Sequence, residues 1–208
     1  MSPLYLYGVT RPRRLPRRLS ARGVSLVRFG NRAAIVSPVG SSPAESTKPN
    51  PLAHADVVEE LHHGGVVLPA RVGTLLPDRA AALELLAADE TGRLLEAHRD
   101  NAELTLTASY DEAVVPDLTD GLGRVRDAAS VLKTVEPLVL ELRVDEPQGE
   151  HGALNLALLV ERARANTVSE ALDGLAARLS RPLRFELVGP LPPYSFVDLE
   201  LPVTVSWR

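Results

Sequence analysis

Leu154 to Val160 (LNLALLV) carries no charged residue, and this run limits the possible folds more than any other segment. A strand that is apolar on both faces belongs in the interior of a sheet, with its faces covered. Several nearby segments can supply the surroundings. Ala102 to Tyr110 (AELTLTASY) sets Leu104, Leu106 and Ala108 against Glu103, Thr105 and Thr107, the period-two alternation of a half-buried strand. Thr167 and Glu170 have capping-box spacing, and Val168, Ala171, Leu172, Leu175, Ala176 and Leu179 recur at helical intervals before Pro182. Leu183 to Val188 and Val197 to Leu201 read as two further strands.

Between these segments, Leu118 to Val135 has the pattern of a helix with Leu122, Val125, Ala129 and Leu132 apolar. The following LVLELRVDE, Leu138 to Glu146, has two readings. Leu138, Leu140, Leu142 and Val144 alternate like a strand, but the segment can also continue the helix beyond a kink at Pro137, and the helix is preferred. Gln148 to Gly152 reads as a polar turn.

The first half has a different rhythm. Leu4 to Val9 (LYLYGV) is a short β-prone run, and Val24 to Phe29 and Arg32 to Ser37 are two more, joined by Gly30-Asn31 as a tight hairpin. Arg11 to Arg22 (RPRRLPRRLSAR) contains two prolines and is expected to be an exposed loop without a regular helix. Ser37 to Pro51 is a Ser/Pro-rich connector, after which Asn50 and Pro51 suit the start of a helix. In that helix His54, Val57, Val58 and Leu61 share one face, and Gly64-Gly65 stops it. Val66 to Leu68 is β-prone. Pro77-Asp78 opens a second helical stretch with Leu83, Leu86 and Ala87 on one side, interrupted at Thr91-Gly92 before Leu94, Leu95 and His98. The expected class is α+β in two domains, residues 1–101 and 102–208.

At 208 residues the chain can bury about 70% of its unfolded surface, so a single core or two small ones need no covalent staple. With no cysteine, disulfides, thiolate zinc sites, iron–sulfur clusters and cysteine nucleophiles are excluded. The net charge of −4 argues against a nucleic-acid binder. No apolar run approaches a membrane span, and the start lacks the basic-then-apolar pattern of a secretory signal. The expected location is cytoplasmic, with neither nucleic acid nor membrane as partner.

The helix bearing His54, Asp56, Glu59, Glu60, His62 and His63 is the one metal candidate, because Asp56, Glu59 or Glu60, and His63 fall on one side. The histidines lack the i, i+4 arrangement of a metalloprotease, so an ordinary solvated acidic face is preferred. His54 falls on the apolar side, where a histidine hydrogen-bonded to backbone is expected. Ser195 has no nucleophile elbow, and the glycines near His63 and Arg71 form no phosphate loop. Arg11, Arg13, Arg14, Arg17, Arg18 and Arg22 could grip phosphates, but without interleaved aromatics they read as a solvated loop suited to contact with an acidic partner.

Three segments together resemble the gas vesicle protein F/L family: LYLYGV, HADVVEELHHGGVVLPARVGT from His54 to Thr74, and GPLPPYSFVDLE from Gly189 to Glu200. The positions that carry the likeness are Tyr7, Gly8, His54, Leu68, Pro69, Arg71, Gly73, Thr74, Gly189, Pro190, Pro193, Tyr194 and Phe196. Val72 and Leu191 depart from it, standing where the family has a phenylalanine and often a tryptophan.

The resemblance implies two α+β domains, the second a modified ferredoxin-like unit, in a cytoplasmic accessory or minor structural protein of gas vesicles. It implies binding to the apolar main shell protein and to other accessory proteins, without catalysis, cofactor or metal. A transient chaperone and a lasting component of the wall both fit. The alternative from another class is a small metal-dependent hydrolase centred on the helix from His54 to His63. For the motif residues the expected roles are structural. Pro69 and Gly73 would fix the backbone around Arg71, whose guanidinium suits carbonyls or a carboxylate. Pro190, Pro192 and Pro193 would stiffen a turn so that Tyr194 and Phe196 clamp the strands on either side.

Overall fold

The computed structural model describes residues 3–39, 50–111, 121–147, 151–179, 183–199 and 201. Most of the Ser/Pro connector, the first residues of the Leu118 to Val135 stretch, part of the Gln148 to Gly152 turn, and Pro182 lie outside the described residues. The chain divides into two compact units, Met1–Asp100 with Pro192–Arg208, and Asn101–Leu191.

In the first unit β1 (Leu4–Thr10), β2 (Ser25–Phe29), β3 (Arg32–Pro38) and β4 (Val67–Pro69) form an antiparallel sheet in the order β2-β3-β1-β4, and β5 (Leu75–Leu76) pairs with the start of β1. The expected hairpin joins β2 and β3, with Phe29 opposite Arg32 and Gly30 at φ +56°, left-handed backbone that glycine adopts at little cost. One sheet face is covered by Ala53, Val57, Val58 and Leu61 of α2 (Pro51–His62). The other is covered by Ala81, Ala82, Leu85 and Leu86 of α3 (Arg79–Ala87) and Leu95 of α4 (Asp89–Ala97).

A β-bulge sorts β1 between these two cores. Leu6 lies opposite Val36 and Gly8 opposite Ile35, so Tyr7 is an extra residue and the alternation shifts by one. Tyr5 and Tyr7 therefore face α2, while Leu6 and Val9, three apart, both reach the α3 and α4 side.

Three expectations for this unit are corrected. The proline-containing loop holds a short helix, α1 (Arg17–Ala21), because both prolines precede it: Pro16 sits just before its first turn, leaving a proline-free stretch that buries Leu19 completely. In α3 the buried face is Ala81, Ala82, Leu85 and Leu86, with Ala87 exposed, and the helix breaks at Ala88, ahead of Thr91-Gly92. Val197, Asp198 and Leu199 form no strand, and the segment after Leu191 belongs with the first unit, where Leu199 is buried, so the second unit ends well before residue 208.

The second unit runs β6 (Asn101–Tyr110), α5 (Gly121–Val135), β7 (Glu141–Asp145), β8 (Gly152–Glu161), α6 (Ala165–Ala176), β9 (Leu183–Leu191), with all neighbours antiparallel in the order β7-β8-β6-β9. This is the β-α-β-β-α-β succession of a ferredoxin-like unit. As its composition requires, β8 is interior, and Leu154, Leu156, Leu158 and Val160 pack with Leu104, Leu106 and Ala108 of β6 and with Val168, Leu172 and Leu175 of α6.

Here too the sequence misleads locally. Glu141 to Asp145 is a strand, because its backbone pairs residue for residue with β8, although Leu142 is only half-buried and Val144 is exposed, and a short 3-10 turn over Glu136–Leu138 with Pro137 ends the helix first. Among the described side chains of α5 the buried ones are Asp127, Val131 and Val135, while Val125 is 68% exposed; Leu122 lies outside them. A buried carboxylate sets that phase, since Asp127 accepts a hydrogen bond of 3.0 Å from the Tyr110 hydroxyl. Thr167 is no cap, because α6 already begins at Ala165.

Candidate functional site

In the first unit the structure brings together two of the three motif segments around β1. Asn50 starts α2 as expected, its side-chain oxygen accepting from the Leu52 and Ala53 amides at 3.1 and 3.3 Å. The helix then places His54 against Tyr5 and Tyr7, with ring centroids 5.7 and 5.5 Å away, and the two tyrosine rings lie 4.8 Å apart. The Gly73 amide donates to the Tyr5 hydroxyl at 3.1 Å, and that hydroxyl lies 2.9 Å from His54 Nδ1. We assign the tyrosine as donor to Nδ1, which leaves the neutral imidazole its proton on Nε2. The histidine bonds a tyrosine through Nδ1 in addition to the backbone partner expected for it, which is Ala70. Burial pushes its pKa down to about 4, opposed only in part by the Ala70 backbone.

The segment after β4 is tied to β1 along its length. The Ala70 amide donates to the Tyr7 carbonyl, and the Leu6 amide to the Thr74 carbonyl, each at 2.9 Å. Thr74 closes the turn by donating to the Arg71 carbonyl from its amide at 3.1 Å and from its hydroxyl at 2.7 Å, with Gly73 at φ +89°. Leu68 is buried and pairs with Val9, while Pro69 opposes Gly8. A Cβ on Gly8 would stand 2.3 Å from the Leu68 carbonyl oxygen, so only glycine permits this approach. Pro69 and Gly73 thus frame Arg71, whose guanidinium pairs with Asp198 at 2.8 Å. Both side chains are largely exposed, and such pairs contribute little stability.

The third motif is divided between the units. Gly189, at φ +144° in β9, leaves no room for a Cβ, which would lie 2.8 Å from the Glu103 carbonyl oxygen, and Pro190 follows it in the same strand. Pro193, Tyr194 and Phe196 belong to the first unit. There the Tyr194 amide donates to the Pro192 carbonyl and the Phe196 amide to that of Pro193. Tyr194 packs on the α2-side core and Phe196 is buried, but among the described residues no strand follows them, so the expected clamp between two strands is not seen there. A groove of about 440 Å³ runs between Pro69–Leu75 and the Val197, Asp198, Leu199 and Leu201 positions.

The donors of the metal candidate do not converge. His54 and His62 are buried, His63 contacts the Glu59 carbonyl through Nδ1 at 2.7 Å, and Glu60 pairs with Arg18 at 2.5 Å. Among the described residues no group of three or more histidines and carboxylates could hold a metal ion.

The arginine-rich loop is not uniformly solvated, which nothing in its sequence signals. Arg13 donates to the carbonyls of Leu61 and Val66 at 2.6 and 3.0 Å and to the Thr10 hydroxyl at 2.6 Å, closing the end of α2 above Gly64 and Gly65. Burial lowers its pKa from the usual arginine value. Arg32 repeats the device, donating to the Leu86 and Ala88 carbonyls, both at 2.7 Å, across Gly92. Arg11 pairs with Glu96.

A two-layered covering of one antiparallel sheet, joined in sequence to a ferredoxin-like unit and carrying a motif cluster packed into its core, defines an α+β class with a particular pair of building units. Comparison with known proteins makes this specific. The chain matches the family described as "Gas vesicle synthesis protein GvpL/GvpF" over residues 3–127 and 123–198, and it belongs to that family. It is 31% identical to gas vesicle protein F of Streptomyces sp. (strain CB03234), over 93% of this chain and 99% of that protein. Its fold is that of the gas vesicle protein GvpF crystal structures from Anabaena sp. PCC7120 and Microcystis aeruginosa. The first has a TM-score of 0.73 at 18% identity with full coverage of both chains, and the second 0.72 at 17% identity, covering 96% of this chain and all of that one. Family membership gives the chain a role in gas vesicles.

Proposed function

We propose that this chain is a non-enzymatic accessory protein of gas vesicles that binds the apolar main shell protein, keeps it from aggregating and assists nucleation and assembly of the vesicle in the cytoplasm. Family membership is the observation that carries the reading. The geometry agrees with it. Tyr5, Tyr7, Gly8, His54, Pro69, Gly73 and Thr74 serve one another as scaffold, and the most chemically suggestive of them, His54, is buried behind two tyrosines. What the scaffold presents outward is the stretch around Arg71 and Val72, the latter 43% exposed, beside an open groove.

Deletion of the gene in a vesicle-forming host tests the role. Loss of vesicles together with insoluble shell protein is expected, and unchanged vesicle yield and shell-protein solubility would refute it. Washing intact vesicles with urea or detergent then separates a lasting wall component, retained at fixed stoichiometry, from a transient chaperone.

A further inference from the structure

Among the described residues, the sheet of the second unit ends in a strand that is paired on one side only. β7 pairs with β8, and Glu141, Arg143, Val144 and Asp145 are exposed, with Leu142 half-buried. An open edge of this kind is a template for a further strand, and its charged side chains decide which strands are admitted. Leu142 opposes Leu158 and Val144 opposes Leu156, so these two lie on the helix-bearing face. Glu141 and Arg143 lie on the other face, opposite Leu159 and Ala157. Leu140 and Val144, 55% and 60% exposed, flank the charged positions.

We propose that this edge pairs with the same edge of a second copy of the chain, antiparallel about a two-fold axis through Leu142. A symmetric antiparallel pair of identical strands is centred on a residue, because only then does each side chain meet one on its own face. Centring on Glu141 or on Arg143 sets like charges opposite each other, and centring on Val144 sets Leu142 against Glu146. Centring on Leu142 is complementary throughout. Glu141 meets Arg143 of the second copy, Arg143 meets its Glu141, and Leu142 meets Leu142 beside the core row of β8. Within one chain Glu141 and Arg143 already approach to 3.4 Å, so these charges have only to turn across the axis. The opposite edge, β9, is a poorer match, because Pro190 has no amide to donate and Arg184 is held by Asp111 at 2.5 Å. The pairing joins two four-stranded sheets into one and offers a repeating partner two copies of the chain at once.

Sedimentation velocity of the full chain up to about 1 mM should show a reversible monomer–dimer equilibrium that weakens as salt is raised. Arg143→Glu and Glu141→Arg each set like charges against each other twice, and each should weaken self-association roughly tenfold or more. Mixing the two variants restores both complementary contacts, as does combining the two changes in one chain, and the dimer should return in both cases. The two side chains are about half exposed, so the variants keep the fold, which circular dichroism checks. Glu186→Arg in β9 should leave the dimer unchanged. A monomer at every concentration, a dimer indifferent to the single variants, a mixture that fails to associate, or loss of the dimer in Glu186→Arg would each overturn the proposal.

Discussion

Lowering the pH should unlock the first unit through His54. In the folded chain the imidazole is held neutral down to about pH 4, whereas an unfolded histidine takes its proton near 6.5. Between these values the unfolded state binds more protons, so stability rises with pH there. The contribution is fully present above about 6.5 and is lost as the pH falls toward 4. The gap amounts to roughly 3 kcal/mol, a substantial part of the stability of a small domain. Protonation would place a charge beside Tyr5 and Tyr7 with no described carboxylate in the ring cluster to balance it. The assay is urea unfolding followed by circular dichroism from pH 7.5 to 4, on the chain and on His54→Phe. The replacement loses the Tyr5 bond and starts less stable, but its stability should fall less with acid, so the two curves converge by roughly 3 kcal/mol. Parallel curves across that range would refute the assignment of a neutral, desolvated His54.

Other predictions follow from close approaches and caps. Gly8→Ala should cost about 1–3 kcal/mol by thermal unfolding, since the new methyl meets the Leu68 carbonyl. Arg13→Met should lower stability by about 1–3 kcal/mol, because the Leu61 and Val66 carbonyls each lose a charge-assisted hydrogen bond and keep only the Gly64 amide and the Thr10 hydroxyl as donors, and amide exchange at Leu61 to Gly65 should accelerate. Arg71→Ala should change the melting temperature little, its exposed pair contributing about 0–1 kcal/mol. Tyr110→Phe should cost about 1–3 kcal/mol, because Asp127 stays buried without its hydroxyl donor.

The elements most readable from sequence were those whose pattern and packing coincide. The run Leu154 to Val160 is interior because it carries no charge and apolar side chains on both faces, with Asn155 its one polar residue and buried too, and the face of α2 is right because His54, Val57, Val58 and Leu61 are all buried. Elsewhere tertiary pairing overruled local pattern. Val125 looks like core in α5 but is exposed, because the Tyr110–Asp127 bond rotates a carboxylate inward. Glu141 to Asp145 joins β8 as a strand where helix continuation is the preferred reading, and Val197, Asp198 and Leu199 have a strand's alternation but pair with no strand among the described residues. The motif cluster was legible as residues but not as geometry. The bulge at Tyr7, the bond from Tyr5 to His54 and the capping by Arg13 and Arg32 all join positions far apart in the chain, and no spacing rule connects them.

Purified shell protein diluted from denaturant into buffer, with and without this chain, gives the most direct test of the proposed role. Light scattering should fall in proportion to added chain and vanish near a fixed ratio, with the two proteins co-eluting on size exclusion. Aggregation at the same rate and extent with and without the chain would contradict the account.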